Sequence, residues 1–193
     1  SLMATLYVST TGSDTFDGTS PLNIIGLIGP KLTLYNGATG ALDIATAGDT
    51  IRVGAGTFTA PTGGILVNKS ITIEGEWGTH IRSFSNAAAQ PVFNIDTTNV
   101  SLSNISFKKL IVENATRPND YAAASYGFGC TLDAGTDKVS SLSFEDVTVA
   151  NMGDHGWFLS ASGVSDHFFV FVNLVRCRGT LNRGAGIYAK NAI

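Results

Sequence analysis

Two stretches of the chain carry the same pattern: SFKKLIVEN at residues 106–114 and SFEDVTVAN at residues 143–151. At this offset of 37 residues, aromatic falls on aromatic, aliphatic on aliphatic and Asn114 on Asn151. A sequence that repeats at an interval of roughly 20 to 50 residues indicates a solenoid, in which each repeat stacks on its neighbour. The two stretches therefore predict parallel strands that lie one above the other in register.

A third copy of the pattern follows at a further offset of 28 residues and places Val170 opposite Leu142. Its apolar run is longer than a strict alternation of inward and outward side chains requires. On this register Phe169 and Phe171 point away from the core. Exposed aromatic side chains of this kind predict a surface that another chain or a later domain covers.

A second marker repeats independently of the first at intervals of 29 and 30 residues. It reads GFGC at 127–130, GWFL at 156–159 and GIYA at 186–189. Elsewhere, runs of alternating apolar and polar residues mostly span three to six residues and end at Gly, Asn, Asp or Ser. Short strands closed by tight turns predict an all-β fold, a single-stranded parallel β-helix in which each coil adds one level.

The chain is expected to form a single domain with distinctive ends. Residues 1–3 are interpreted as a cloning remnant and start, residues 4–60 as the N-terminal cap with the first strands, and residues 61–193 as β-helix coils. A short helix is predicted at 41–47, where it would cover the first coil. Residues 185–193 have the pattern of another repeat without a polar cap, so we expect an uncapped C-terminal end and a longer natural protein.

The composition of the chain argues against several classes of partner. A net charge of −3 leaves no surplus of Lys and Arg to neutralise phosphates, so nucleic acid is not expected as a ligand. No run approaches the ~18 apolar residues of a membrane span, and no secretory signal is visible after Met3. Cys130 and Cys177 are too few for a disulfide framework and are predicted to pack inward as small hydrophobic residues.

The opening of the chain carries a series of short motifs. They are LYVS at 6–9, GSD at 12–14, DGTS at 17–20, AGDTIRV at 47–53, GTF at 56–58 and SITIEG at 70–75. This series resembles the start of right-handed parallel β-helices of the pectate-lyase-like superfamily. The resemblance implies a right-handed β-helix in an extracellular protein, on a cell surface or a virion. It leaves the activity open, because polysaccharide lyases, glycosidases, surface adhesins and phage tail spikes share such openings.

Stacked repeats bring one set of connections to a common edge of the predicted β-helix. The substrate-binding residues predicted there are Arg117, Asp120, Tyr121, Asp154, His155 and Arg183. A tyrosine ring suits stacking on a sugar, while carboxylate, imidazole and guanidinium groups suit hydrogen bonds to hydroxyls or to a uronate. The alternative interpretation is that these are ordinary polar loop residues. Catalytic residues stay unassigned, because a glycosidase needs two carboxylates at a defined separation and no second one is identifiable beside Asp154.

Another edge of the predicted β-helix carries Asn99, Asp137 and Asp166, each just before a returning strand. Aligned oxygen ligands of this kind suit calcium, although Asn and Asp are also common in turns. No other cofactor is predicted. Arg176, Arg178 and the lysines at 108–109 predict a small outward basic patch, which would favour an acidic polysaccharide.

Two functions are consistent with these features. The first is an extracellular β-helix module that binds or helps to process polysaccharide, without a complete catalytic site in this stretch. If it were an enzyme, it would be a polysaccharide lyase or a glycoside hydrolase. The second is a structural or adhesive column, such as a tail-spike shaft or the leading domain of a large surface protein, with a homotrimer or later domains of the same chain as partners.

Overall fold

The computed structural model describes residues 3–86, 89–98, 100–132, 138–161 and 168–190. Strand makes up 44% of these residues and helix 2%. The expected all-β class is therefore confirmed.

The described ranges contain one helix and fourteen strands. The helix, α1, spans Ala41–Ile44. The strands, in chain order, are β1 (Thr5–Val8), β2 (Thr50–Val53), β3 (Gly56–Thr59), β4 (Ile65–Val67), β5 (Ile71–Glu74), β6 (Thr79–Arg82), β7 (Phe93–Ile95), β8 (Leu102–Glu113), β9 (Phe128–Leu132), β10 (Lys138–Ala150), β11 (Trp157–Ala161), β12 (Phe168–Val175), β13 (Arg178–Thr180) and β14 (Ile187–Lys190).

The strands form two parallel sheets. The larger has nine strands, with the path β1-β2-β5-β8-β10-β12 and with β3, β6 and β13 beside it. The smaller has five, in the order β14-β11-β9-β7-β4. From β4 onward the chain alternates between the sheets, so the crossover that parallel strands require is made by strands and loops rather than by helices.

The pairing of β8 with β10 has the register that the sequence repeat predicted. Phe107 lies opposite Phe144, which is the expected offset of 37 residues. The marker glycines also precede paired strands, because Trp157 lies opposite both Phe128 and Ile187.

The register predicted for β12 is wrong by two residues. Leu142 lies opposite Val172, an offset of 30 rather than 28. Both offsets place apolar on apolar, so the pattern alone does not distinguish them. In the observed register Phe169 lies opposite Val139 and is buried, which corrects the expectation that it points outward. Phe171 is 69% exposed, as expected.

The two longest strands bend where their side-chain alternation breaks. Lys109 in β8 and Asp146 in β10 have left-handed φ values of 53° and 54°, and Arg176 after β12 has one of 51°. Before its bend β8 pairs with β5, and after it with β6. A single left-handed residue thus redirects the chain at the same place on successive strands.

Both sheets contribute to one aromatic core. Phe107 and Phe144 of the larger sheet stack with their ring centroids 5.3 Å apart, and Phe93 and Phe128 of the smaller sheet stack at 5.0 Å. Phe128 meets Phe107 and Phe144 edge to face, each at 4.8 Å. Trp157 continues the column, and all five side chains are fully or almost fully buried. Parallel pairing in register places these rings directly above one another.

The helix α1 is shorter than expected because polar side chains take over its C-terminal end. Lys69 donates to the carbonyl oxygens of Leu42 and Ala45, at 3.0 and 2.8 Å. The buried Asp49 accepts hydrogen bonds from the N–H of Ala4 and from both the N–H and the hydroxyl of Thr46. Burial raises the pKa of Asp49, but these hydrogen bonds and the charge of Lys69 outweigh it and hold the pKa below 3.8.

We expect Asp49→Asn to lower the free energy of unfolding by about 1–3 kcal/mol at neutral pH, because the amide replaces a charged acceptor of three hydrogen bonds. The folded-state pKa of Asp49 is depressed, so its contribution is complete above the unfolded value and is lost as pH falls through the folded value. Urea unfolding at pH 7 and pH 3 measures this. The difference between the proteins should shrink at the lower pH, and a constant difference would contradict the assigned role. Asp96→Asn is the control, because the more exposed Asp96 accepts local turn bonds from the N–H and hydroxyl of Thr98 that an amide oxygen can also accept.

Backbone strain at Leu181 suggests a stabilising substitution. Leu181 has a left-handed φ of 55° and is 61% exposed, at the place that Asn151 occupies after the preceding strand. Because asparagine tolerates this conformation better than leucine, Leu181→Asn should raise the free energy of unfolding by about 0.5–1 kcal/mol. Leu181→Ala keeps the strain and should bring no gain. Equal urea midpoints for the two variants would show that strain is not the cause.

Candidate functional site

The loop 114–127 joins β8 to β9 and is held against the turn 151–156 that follows β10. Ala122 donates its N–H to the carbonyl oxygen of Gly153, and Gly153 donates its N–H to the hydroxyl of Ser125. The N–H of Asp154 bonds the carbonyl oxygen of Ser125 at 3.1 Å. The loop therefore follows the turn as an ordered layer, since its backbone groups find partners there.

Asp154 holds the loop against the turn through its buried carboxylate. Its side chain is buried, and the residue as a whole is only 2% exposed. The hydroxyl of Tyr121 donates to Oδ2 at 2.7 Å, and the N–H of Ala124 donates to the same oxygen at 3.3 Å. The hydrogen bond to Asp154 raises the pKa of Tyr121, because it stabilises the protonated phenol beside a carboxylate.

His155 lies beside Asp154 and has a defined tautomer. The N–H of Ala185 donates to Nδ1 at 2.8 Å, so that nitrogen carries the lone pair and Nε2 carries the proton. Nε2 faces Oδ1 of Asp154 at 3.4 Å, and this oxygen has no hydrogen-bond partner among the described residues. The imidazole therefore lies next to Oδ1 of Asp154, while the loop donates its hydrogen bonds to Oδ2.

Arg183 fastens the loop from the next turn along the chain. Its Nε donates to the carbonyl oxygen of Pro118 at 2.7 Å, while its N–H bonds the carbonyl oxygen of Met152. This side-chain hydrogen bond joins two residues that are 65 positions apart in the sequence, and it holds the middle of the loop in place.

A cavity of about 430 Å³ opens on the outer side of the loop, a volume within the range of small-ligand sites. We call it the loop cavity. Its lining consists of Asn86, Thr116, Arg117, Pro118, Asn119, Asp120, Tyr121 and Ala122. Tyr121 is 62% exposed, so its ring is open to a ligand although its hydroxyl is held. Asn86 exchanges two hydrogen bonds with Thr116, which ties the loop to the preceding turn.

The six residues predicted for the site divide into two groups in the structure. Arg117, Asp120 and Tyr121 line the loop cavity. The other three, Asp154, His155 and Arg183, lie behind the loop and hold it in place. Sequence reasoning missed Asn86, although its spacing of 30 residues from Thr116 matches the repeat.

A second aromatic column, also missed from the sequence, stands outside the smaller sheet. Tyr126 stacks on Phe158 with ring centroids 4.5 Å apart, and Phe158 stacks on Tyr188 at 5.1 Å, with the ring planes nearly parallel. Gly129, which pairs with Phe158, leaves space mainly for Pro91, since a Cβ there would lie 2.6 Å from the Pro91 ring and 3.3 Å from the Tyr126 ring. His155 stacks against the same column. The column supports the imidazole that faces Asp154.

The other predicted binding features have separate outcomes. Asn99, Asp137 and Asp166, proposed for calcium, lie outside the described residues. Within the described ranges no group of three or more His, Cys, Asp or Glu side chains is placed to hold a metal ion. The basic patch is partly neutralised, since Arg176 makes two hydrogen bonds to Asp146 and one to Glu145.

Comparison of the chain with family models, curated proteins and solved structures found no match. No helix in the described part of the chain has the length and apolar character to cross a membrane. The function is therefore inferred from the chemistry of the loop and its surroundings.

We expect Asp154→Ala to lower the free energy of unfolding by about 2–3 kcal/mol, because a buried carboxylate that accepts hydrogen bonds from Tyr121 and Ala124 is lost. The pKa of Tyr121 should fall toward 10.0 in the variant, since the partner that favours the neutral phenol is gone. Urea unfolding and an ultraviolet titration of the tyrosines measure the two effects. Asp120→Ala, on the same loop but without a hydrogen bond among the described residues, should change stability little. Similar losses for both variants would contradict the anchoring role.

Proposed function

We propose that this chain belongs to a right-handed parallel β-helix that binds polysaccharide outside the cell. The alternation of strands between two parallel sheets, with registers of 29, 30 and 37 residues, supports successive coils of one solenoid. The resemblance of residues 6–75 to the opening of pectate-lyase-like β-helices supports the handedness and the location on a cell surface or virion.

The loop cavity is the observation that carries the proposed binding function. It presents the exposed ring of Tyr121 together with Arg117 and Asp120, neither of which makes an ion pair among the described residues. The ring offers an apolar face to the C–H groups of a sugar. The guanidinium donates to hydroxyl or carboxylate oxygens, and the carboxylate accepts from hydroxyls. Because the loop is already ordered by Asp154 and Arg183, binding costs little additional conformational entropy.

The same geometry favours binding over bond cleavage. A glycosidase places two carboxyl groups on opposite sides of the scissile bond. Asp120 lines the loop cavity, but Asp154 is buried beneath Tyr121 and engaged by the loop. The second carboxylate therefore serves to position the tyrosine rather than to meet a substrate.

Tyr121→Ala and Arg117→Ala should each weaken polysaccharide binding at least about tenfold, because they remove the stacking ring and the charged donor. A glycan array identifies the ligand, and calorimetric titration of the best hit measures the change. Tyr121→Phe keeps the ring but loses the hydrogen bond to Asp154, so it should lose less affinity than Tyr121→Ala. If folded Tyr121→Ala binds as the unchanged protein does, the loop cavity is not the site.

A structural column is the alternative function, and an exposed apolar segment favours it. Residues 22–28 present five large aliphatic side chains to solvent. Backbone hydrogen bonds hold the segment: the N–H of Asp17 donates to the carbonyl oxygen of Leu27, and the N–H of Ile24 donates to that of Ile28. An ordered apolar surface of this kind suits association into a homotrimer or against further domains. Sedimentation of a trimer without affinity for any glycan would favour this function over polysaccharide binding.

A further inference from the structure

A row of outward side chains crosses the larger sheet from one strand to the next. In register, Tyr7 lies opposite Arg52, Arg52 opposite Glu74, and Glu74 opposite Lys108. Lys108 in turn lies opposite Glu145. Four charged positions of alternating sign thus follow a tyrosine along the direction in which the strands stack. We call these five residues the charge row.

An exposed tryptophan stands beside this row. Trp77 is 79% exposed and lies in the turn between β5 and β6. The buried Thr79 fixes the turn: its hydroxyl accepts from the N–H of Glu76 at 2.8 Å and donates to the carbonyl oxygen of Gly54 at 3.0 Å. Gly78 provides the left-handed φ of 91° that the turn needs. The indole is therefore presented to solvent by a rigid backbone.

Trp77 and Tyr7 each line one of two neighbouring cavities. One, of about 410 Å³, is lined by Arg52, Glu74, Gly75, Glu76, Trp77 and Lys109. The other, of about 440 Å³, is lined by Tyr7, Val8, Ser9, Pro21, Pro30, Arg52, Gly54 and Glu76. Because Arg52 and Glu76 line both, the two cavities adjoin at these residues, with Trp77 lining the first and Tyr7 the second. We call the two together the Trp77 groove.

The charges of the Trp77 groove restrict the class of ligand. Lys109 Nζ lies 3.7 Å from Glu74 Oε1, so the charges of this ion pair offset each other. Arg52 and Glu76 make no ion pair or side-chain hydrogen bond among the described residues. One supplies only donors and the other only acceptors, and together they add no net charge. A polyanion would be repelled by the carboxylates of Glu74 and Glu76, and a polycation by Arg52 and Lys109. The hydroxyl groups of a neutral chain can both accept from Arg52 and donate to Glu76.

We propose that the Trp77 groove binds a neutral oligosaccharide that lies along the stacking direction of the strands. Trp77 and Tyr7 contact sugar rings, one in each cavity, and Arg52 and Glu76 bond hydroxyls where the cavities adjoin. The ligand class rests on the proposed function, but the residues are separate from those of the loop cavity.

The two tryptophans of the chain allow a direct test, because Trp157 is buried and Trp77 is exposed. Acrylamide quenches an exposed indole far more than a buried one, so quenching of the native protein reports mainly on Trp77. The probes are cellohexaose, xylohexaose and mannohexaose, with hexagalacturonate as the acidic comparison, at up to about 10 mM. We expect one neutral probe to protect Trp77 from quenching. Trp77→Ala and Arg52→Ala should each weaken its binding at least about tenfold.

Variants in the two places separate this inference from the proposed function. Protection of Trp77 that persists in Tyr121→Ala supports the Trp77 groove, even if the loop cavity is not a site. Loss of binding in Tyr121→Ala but not in Trp77→Ala overturns the groove and leaves the proposed function standing. Absence of protection by every neutral probe, or stronger protection by hexagalacturonate, also overturns the groove. If neither variant affects binding in calorimetry or on the glycan array, both assignments fall.

Discussion

Parallel pairing in register is the constraint on which the rest of this structure depends. It sets each side chain directly above one of like orientation, so that Phe107 stacks on Phe144 and Phe93 on Phe128. The inward positions then form one continuous aromatic core from two sheets. The same pairing fixes the outward positions and the turns, and therefore decides which distant loops become neighbours. Hydrophobic burial supplies the free energy, while the register decides where it is gained.

Much of this arrangement was predictable from the sequence. The 37-residue offset of Phe107 and Phe144 and the marker glycines gave the correct pairing of the middle strands. The prediction failed at β12, where an error of two residues left the apolar matches intact and misplaced Phe169. Two consecutive polar residues interrupt the alternation at the bends of β8 and β10, where Lys109 and Asp146 have a left-handed backbone. In β12 the residue opposite Glu145 is the apolar Val175, so the same interruption is not visible in the sequence and the register cannot be read from it.

The candidate site was predicted as a set of residues but not as an arrangement. Repeat stacking correctly brought Asp154 and Arg183 near the loop that carries Tyr121. Whether a polar loop residue faces solvent or the layer beneath it depends on backbone geometry that no periodicity encodes. Asp154 is thus buried and Asp120 lines the cavity, although both are carboxylates in neighbouring loops. Trp77 escaped notice for the related reason that a single aromatic residue in a glycine-flanked turn has no repeating partner.

The alternating charges of the charge row limit how a chain of this kind can lengthen. Opposite charges on adjacent strands stabilise their contact, and like charges directly opposite one another destabilise it. Copying one strand into the series between Glu74 and Lys108 would set two residues of the same sign side by side. Copying two adjacent strands together would preserve the alternation. The alternating signs therefore favour insertion of an even number of strands and disfavour insertion of an odd number. The residues that set this preference are Arg52, Glu74, Lys108 and Glu145.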